Sequence, residues 1–132
     1  MTSVSPGQKH TQVLLLMKMA GNRKIVGDLL SEQGYDSESV LTEQDLTHAL
    51  ASPGRKMALV DVTGFGPAIW GLCEMLRYER TPFLVMSTPD ALEMSSNALS
   101  LGAVSVVQKP IAKAALLNLL DSMVSPGDSS RG

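Results

Sequence analysis

Asp61, Ser87 with Thr88, and Lys109 are the residues of this 132-residue chain whose types, taken together, suit a reaction. Asp61 ends the apolar run Met57-Ala58-Leu59-Val60, and Ser87 ends Phe83-Leu84-Val85-Met86. Lys109 follows Val104-Ser105-Val106-Val107-Gln108. A carboxylate, a hydroxyl and an ammonium at one place are what an aspartyl-phosphate requires. The carboxylate is the nucleophile, the ammonium neutralises the incoming anion, and the hydroxyl donates to one of its oxygens. The plainer reading of the same residues is structural. Asp61 and Lys109 then form a salt bridge that fixes a loop, and Ser87 bonds the backbone.

The elements that must bring these groups together are short. A continuous apolar run reads as a strand buried on both faces of a parallel sheet. In such sheets reactive groups lie just beyond the carboxyl ends of the strands. The first strand is Val13-Leu14-Leu15-Leu16-Met17. Asn22 is placed to cap a helix in which Ile25, Val26, Leu29 and Leu30 form one stripe, and Gly34 suits its end. Tyr35 to Leu41 reads as a short edge strand carrying Asp36 and Glu38. Thr42 and Asp45 make a capping box for a second helix ending near Ala51, and Ser52-Pro53-Gly54 is a turn.

After the Asp61 strand comes the loop Thr63-Gly64-Phe65-Gly66-Pro67. Ile69, Leu72, Cys73 and Leu76 mark a third helix ending near Tyr78. The Phe83 to Ser87 strand leads to a fourth helix from about Asp90 to Leu101, with Met94, Ala98 and Leu101 on one side and Gly102 as its stop. After the Val104 to Gln108 strand and Lys109-Pro110, a last helix turns Leu116, Leu119, Leu120 and Met123 inward. The pattern is strand then helix, five times. It predicts an α/β fold with a five-stranded parallel sheet sandwiched by helices. Residues 1–11 read as a flexible tail, 12–124 as the domain, and 125–132 as a flexible tail or the start of a linker.

Composition narrows the function classes. The chain is 44% hydrophobic and 18% charged, which suits one soluble domain with a real core. A net charge of -2 gives no electrostatic basis for nucleic acid or an anionic membrane. The single cysteine, Cys73, excludes an internal disulfide and fits a reducing compartment, so the cytoplasm is the expected location. The run Val13 to Met17 is too short for a membrane span. His10 and His48 have no metal-spaced partners. The glycines form no phosphate-binding fingerprint.

With Asp61, Ser87 and Lys109-Pro110 in this order on a five-fold pattern, the chain resembles the receiver domains of bacterial response regulators. The resemblance spans Gln12 to Val124 and runs without gaps through Val13 to Tyr35, Asp61 to Arg77 and Pro82 to Ile111. It implies that Asp61 is the phosphoacceptor position, Ser87 the switch hydroxyl, and Lys109 the phosphate-binding lysine before a cis proline. Gly102-Ala103 matches the residues before the family's last strand. The resemblance also implies a signalling module without enzymatic activity of its own, in the (βα)5 receiver topology.

The departures matter as much. Where the family holds Mg2+ with two adjacent acids, this chain has Met17-Lys18. The aromatic switch position of the fifth strand is Val106. The loop after Asp61 is Gly64-Phe65-Gly66-Pro67-Ala68-Ile69. Mg2+ needs several oxygen ligands in near-octahedral geometry, so no cofactor is expected, with Mg2+ bound only if the site works. Lys18 is expected to replace the metal in part, as a cation paired with Asp61.

The reading is therefore a degenerate receiver-like module of phosphorelay signalling that acts through protein contacts. The family's partner face falls here on the fourth helix, fifth strand and fifth helix, including Met94, Asn97, Leu101 and Val106. Its partner is a protein such as a histidine kinase, an effector domain or a second copy of the chain. Two alternatives remain: a working phosphoacceptor at Asp61, and a small ligand-binding or enzymatic α/β domain that shares only the topology.

Overall fold

The computed structural model describes residues 11–88 and 97–124. Five strands alternate with helices: β1 (Thr11–Leu16), α1 (Ala20–Glu32), β2 (Asp36–Ser39), α2 (Glu43–Ala51), β3 (Arg55–Asp61), α3 (Ala68–Tyr78), β4 (Phe83–Ser87), α4 (Asn97–Ser100), β5 (Ser105–Gln108) and α5 (Lys113–Val124). All neighbouring strands run parallel, in the order β2-β1-β3-β4-β5. This is the five-stranded receiver topology that the sequence predicts.

The period-2 alternation of the strands sorts the core into two layers. Leu14 and Leu16 of β1, Ala58 and Val60 of β3, and Phe83 and Val85 of β4 face one side. There they pack against Leu46 and Ala49 of α2 and against Ile69, Leu72, Cys73 and Leu76 of α3. Val13, Leu15 and Met17, Met57 and Leu59, and Leu84 and Met86 face the other side. They meet Leu30 of α1 and Leu116, Leu120 and Met123 of α5. Asp61 shares the parity of Met57 and Leu59, so β3 aims it to the α1/α5 side.

The register aligns the strand ends. Leu16 pairs with Val60, Asp61 with Met86, and Ser87 with Gln108. Two further backbone bonds extend the ladder, from the Val62 N–H to the Met86 carbonyl (3.2 Å) and from the Lys109 N–H to the Ser87 carbonyl (2.8 Å). The three candidate residues therefore end up on one edge.

The local signals mostly act as read. Thr42 accepts from the Asp45 N–H at 3.0 Å, and Asp45 accepts from the Leu41 N–H at 2.9 Å, which closes the cap of α2. Gly34, after α1, has φ +88°. The edge strand is shorter than expected, because Tyr35 and Val40 turn inward as buried residues. Tyr35 reaches across to α5, where its hydroxyl donates to Asp121 Oδ1 at 2.5 Å.

Three expectations are corrected. Asn22 does not cap α1, which starts at Ala20 after Met19. The turn closes early because the Arg23 N–H donates to the Met19 carbonyl at 3.0 Å. Met17 lies just past β1, and Thr11 opens that strand as a buried residue instead of belonging to a tail. Val104 likewise precedes β5. Of the expected fourth helix, Asn97–Ser100 is helical; its earlier part, with Met94, lies outside the described residues, as do residues 1–10 and 125–132. Among the described residues no helix is long and apolar enough to cross a membrane.

Candidate functional site

Asp61 sits at the end of β3 and is only 1% exposed. Burying a carboxylate is costly unless it is paired and hydrogen-bonded. Here it is both. Lys109 Nζ lies 2.8 Å from Oδ2 and 3.0 Å from Oδ1. The Thr63 N–H donates to Oδ1 at 3.0 Å. The Lys109 ammonium also donates to Thr63 Oγ1 at 3.0 Å. One N–H of the ammonium is shared between the two carboxylate oxygens and another serves Thr63. The Lys109-Pro110 peptide is cis, as the resemblance implies.

In the sequence Thr63 opens the loop that follows the Asp61 strand. Its hydroxyl and N–H both belong to the cluster, since a residue two beyond a strand-end aspartate turns back toward it. Arg23 was not singled out at all. Its guanidinium donates to the Met17 carbonyl at 3.0 Å and the Lys18 carbonyl at 3.3 Å. Its contact spans five and six residues, across the turn from β1 into α1.

Ser87 does not reach Asp61. It is fully buried, and its hydroxyl donates to the Thr88 carbonyl at 3.0 Å. Its position in β4 has the parity of Phe83 and Val85, the face opposite Asp61.

The pairing of Lys18 with Asp61 is also corrected. Lys18 is exposed, and its Nζ lies over the Phe65 ring at 5.3 Å from the centroid, a cation–π contact. Its stem crosses Gly64, where an added Cβ would lie 3.3 Å from Lys18 Cβ. Gly64 has φ +85°, so the loop needs glycine both for its backbone and for this approach. Phe65 folds over the α2/α3 core beneath.

The chemistry of the donor set bears on a metal. Among the described residues Asp61 is the one carboxylate of the cluster, and Lys109 contacts both of its oxygens. Met17 offers a thioether and is 1% exposed, while Arg23 holds the carbonyls of Met17 and Lys18. Among the described residues no three His, Cys, Asp or Glu side chains gather as a metal site. These groups do not fit a hard divalent cation.

Elsewhere, Leu101 and Val106 are half-buried against the α2/α3 layer, and Leu99 and Val104 are exposed beside them. Asn97 opens α4. Cys73 is buried in α3, and burial pushes its thiol up to about 12.

No family model matches the sequence, and no curated protein is significantly similar to it. Solved structures do match. A response regulator from Thermotoga maritima superposes with TM-score 0.74 at 22% identity, covering 88% of this chain and 98% of that one. Full-length FixJ from B. japonicum gives 0.77 at 21% identity, over 93% of this chain and 63% of that one. The receiver domain of a sensor histidine kinase from Pseudomonas aeruginosa PAO1, solved with magnesium in its active site cleft, gives 0.72 at 21% identity over 86% and 97%. This chain spans 28% of NtrX from Brucella abortus. The fold is that of response-regulator receiver domains.

Proposed function

We propose that this chain is a receiver-like signalling module that works through protein contacts and holds one arrangement without phosphate or Mg2+. One observation carries the reading: the ammonium of Lys109 is bonded to both Asp61 and Thr63, with no second carboxylate beside them among the described residues. In this reading Lys109 supplies the positive charge that a bound metal would otherwise bring to Asp61. A site already neutral and fully bonded gives Mg2+ little to gain. The module has no enzymatic turnover of its own.

Its partner is a protein: a histidine kinase, an effector domain, another signalling protein or a second copy. The contact face includes Asn97, Leu101 and Val106, with Leu99 and Val104 exposed around them. Signalling through such a face is a shift in population between two arrangements. Val106 is small and aliphatic, so any shift is modest. The single cysteine, Cys73, supports a cytoplasmic module, and the net charge of -2 gives no electrostatic basis for nucleic-acid or membrane contact of its own.

A second reading is a working phosphoacceptor at Asp61. It is favoured by the direct contact of Lys109 with that carboxylate at the strand ends. Intact-mass measurement after incubation with acetyl phosphate and Mg2+ separates the two. We expect no added phosphoryl mass. One phosphoryl group that appears on the native chain and is lost in Asp61→Asn would establish the second reading instead.

A further inference from the structure

A cleft of about 490 Å³ opens between α1 and α5, on the face of the sheet that carries Asp61. Small-molecule sites span roughly 300–1,000 Å³ and are mostly apolar, with a few placed polar groups. The walls here are apolar: Met17, Val26, Leu29, Met86, Ile111 and Leu116. The inner end is set by Met17 and Met86, which are 1% and 4% exposed. Met17 is thus the residue that makes the corner beside Asp61 apolar. Ile25, 59% exposed, stands at the rim, a large apolar side chain left uncovered.

The charge of the cleft is unequal. Among the described residues its charged lining residues are Asp61, Lys109 and Lys113. Asp61 and Lys109 neutralise each other in their bonded pair. Lys113 is exposed and forms no ion pair among the described residues. No acidic residue stands in the first turn of α5 to balance it. Among the described residues the cleft therefore combines an apolar interior with one unpaired positive charge, Lys113, at its edge.

We propose that this cleft binds a small amphipathic carboxylate. The hydrocarbon part lies against Met17, Met86 and Leu116, and the carboxylate meets the ammonium of Lys113. At ~30 Å³ per water, the space equals roughly sixteen waters, ample for an acid of about eight to ten carbons. The site goes beyond the signalling reading and does not depend on it, since it uses the cleft walls and Lys113 and no phosphoryl chemistry at Asp61.

The test is an amide NMR titration of the full chain with octanoate, octanol and octylamine, each below its micelle concentration. Octanoate should give saturable one-site shifts at Met17, Val26 and Ile111, with a dissociation constant on the order of 1 mM or below. Octanol should bind more weakly and octylamine weakest. Lys113→Gln should weaken octanoate about threefold and leave octanol unchanged. Ile25→Glu, an exposed rim change that spares the core, should weaken octanoate by a similar factor. Equal binding of octanoate and octanol, unaltered by Lys113→Gln, would overturn the carboxylate assignment. So would the absence of saturable shifts at those residues. Shifts at the same residues with an amphipathic helical peptide, and none with octanoate, would make the cleft a protein groove and overturn it too.

Discussion

The strand-end cleft has two unlike halves. The half built by β3 and β5 is polar and closed: Asp61, Thr63 and Lys109 satisfy one another. The half built by the end of β1 is apolar and cationic: Met17 is buried, Arg23 holds the Met17 and Lys18 carbonyls, and Lys18 turns away to Phe65. The contrast teaches that an anionic side chain can be kept at a strand end without a metal when a lysine following β5, two strands away, supplies the whole counter-charge. The β1 half is then free to become hydrophobic.

The largest test removes the counter-charge. Lys109→Ala leaves Asp61 buried and unpaired and should cost ~3 kcal/mol in urea unfolding. Asp61→Asn should cost ~1 kcal/mol, because Lys109, a fifth exposed, can turn to water. Equal losses in the two variants would break the comparison. Next, Met17→Asp with Lys18→Asp makes the β1 half acidic. A second carboxylate beside Asp61 should lower stability by ~2 kcal/mol without Mg2+ and recover part of it with the ion. A native chain stabilised by Mg2+ to the same degree as this variant would erase the difference between the halves.

Phe65→Ala releases Lys18 and should cost ~1 kcal/mol or less, with little change in the amide shifts of Asp61 and Lys109. Cys73 is a control in the opposite layer. Its folded-state value of about 12 lies above the ordinary 9.0, so its contribution is fully present below pH 9 and is lost as pH rises toward 12. At pH 8 a thiol reagent should leave it unmodified until the chain unfolds; rapid labelling of native protein would show the α3 layer to be open.

Much of the fold was legible because its signals are local and strong. The runs of β1, β3 and β4 have no competing helical period, and the stripe Ile69, Leu72, Cys73, Leu76 is buried throughout, as its spacing requires. Gly34 and the Thr42 cap mark their helix ends. Asp61 and Lys109 were legible as a pair because parallel strands deliver their ends to one edge. The side-chain directions were less so. Ser87 is at the right edge, but strand parity turns it to the other layer. Lys18 is one residue past Met17, and Phe65 offers it a nearer partner than Asp61. Thr63 and Arg23 join through short-range contacts, two residues from Asp61 and five to six from Lys18 and Met17, which form only once the turns after β3 and β1 close.

The most direct test of the central claim is an amide NMR titration of the native chain with Mg2+ and then beryllofluoride, beside Asp61→Asn. The spectrum should not respond at Asp61, Thr63, Ser87 or Lys109 to either addition. Shifts at those residues that spread to Asn97–Leu101 and Val106, and that vanish in Asp61→Asn, would contradict it and show a working metal-dependent switch.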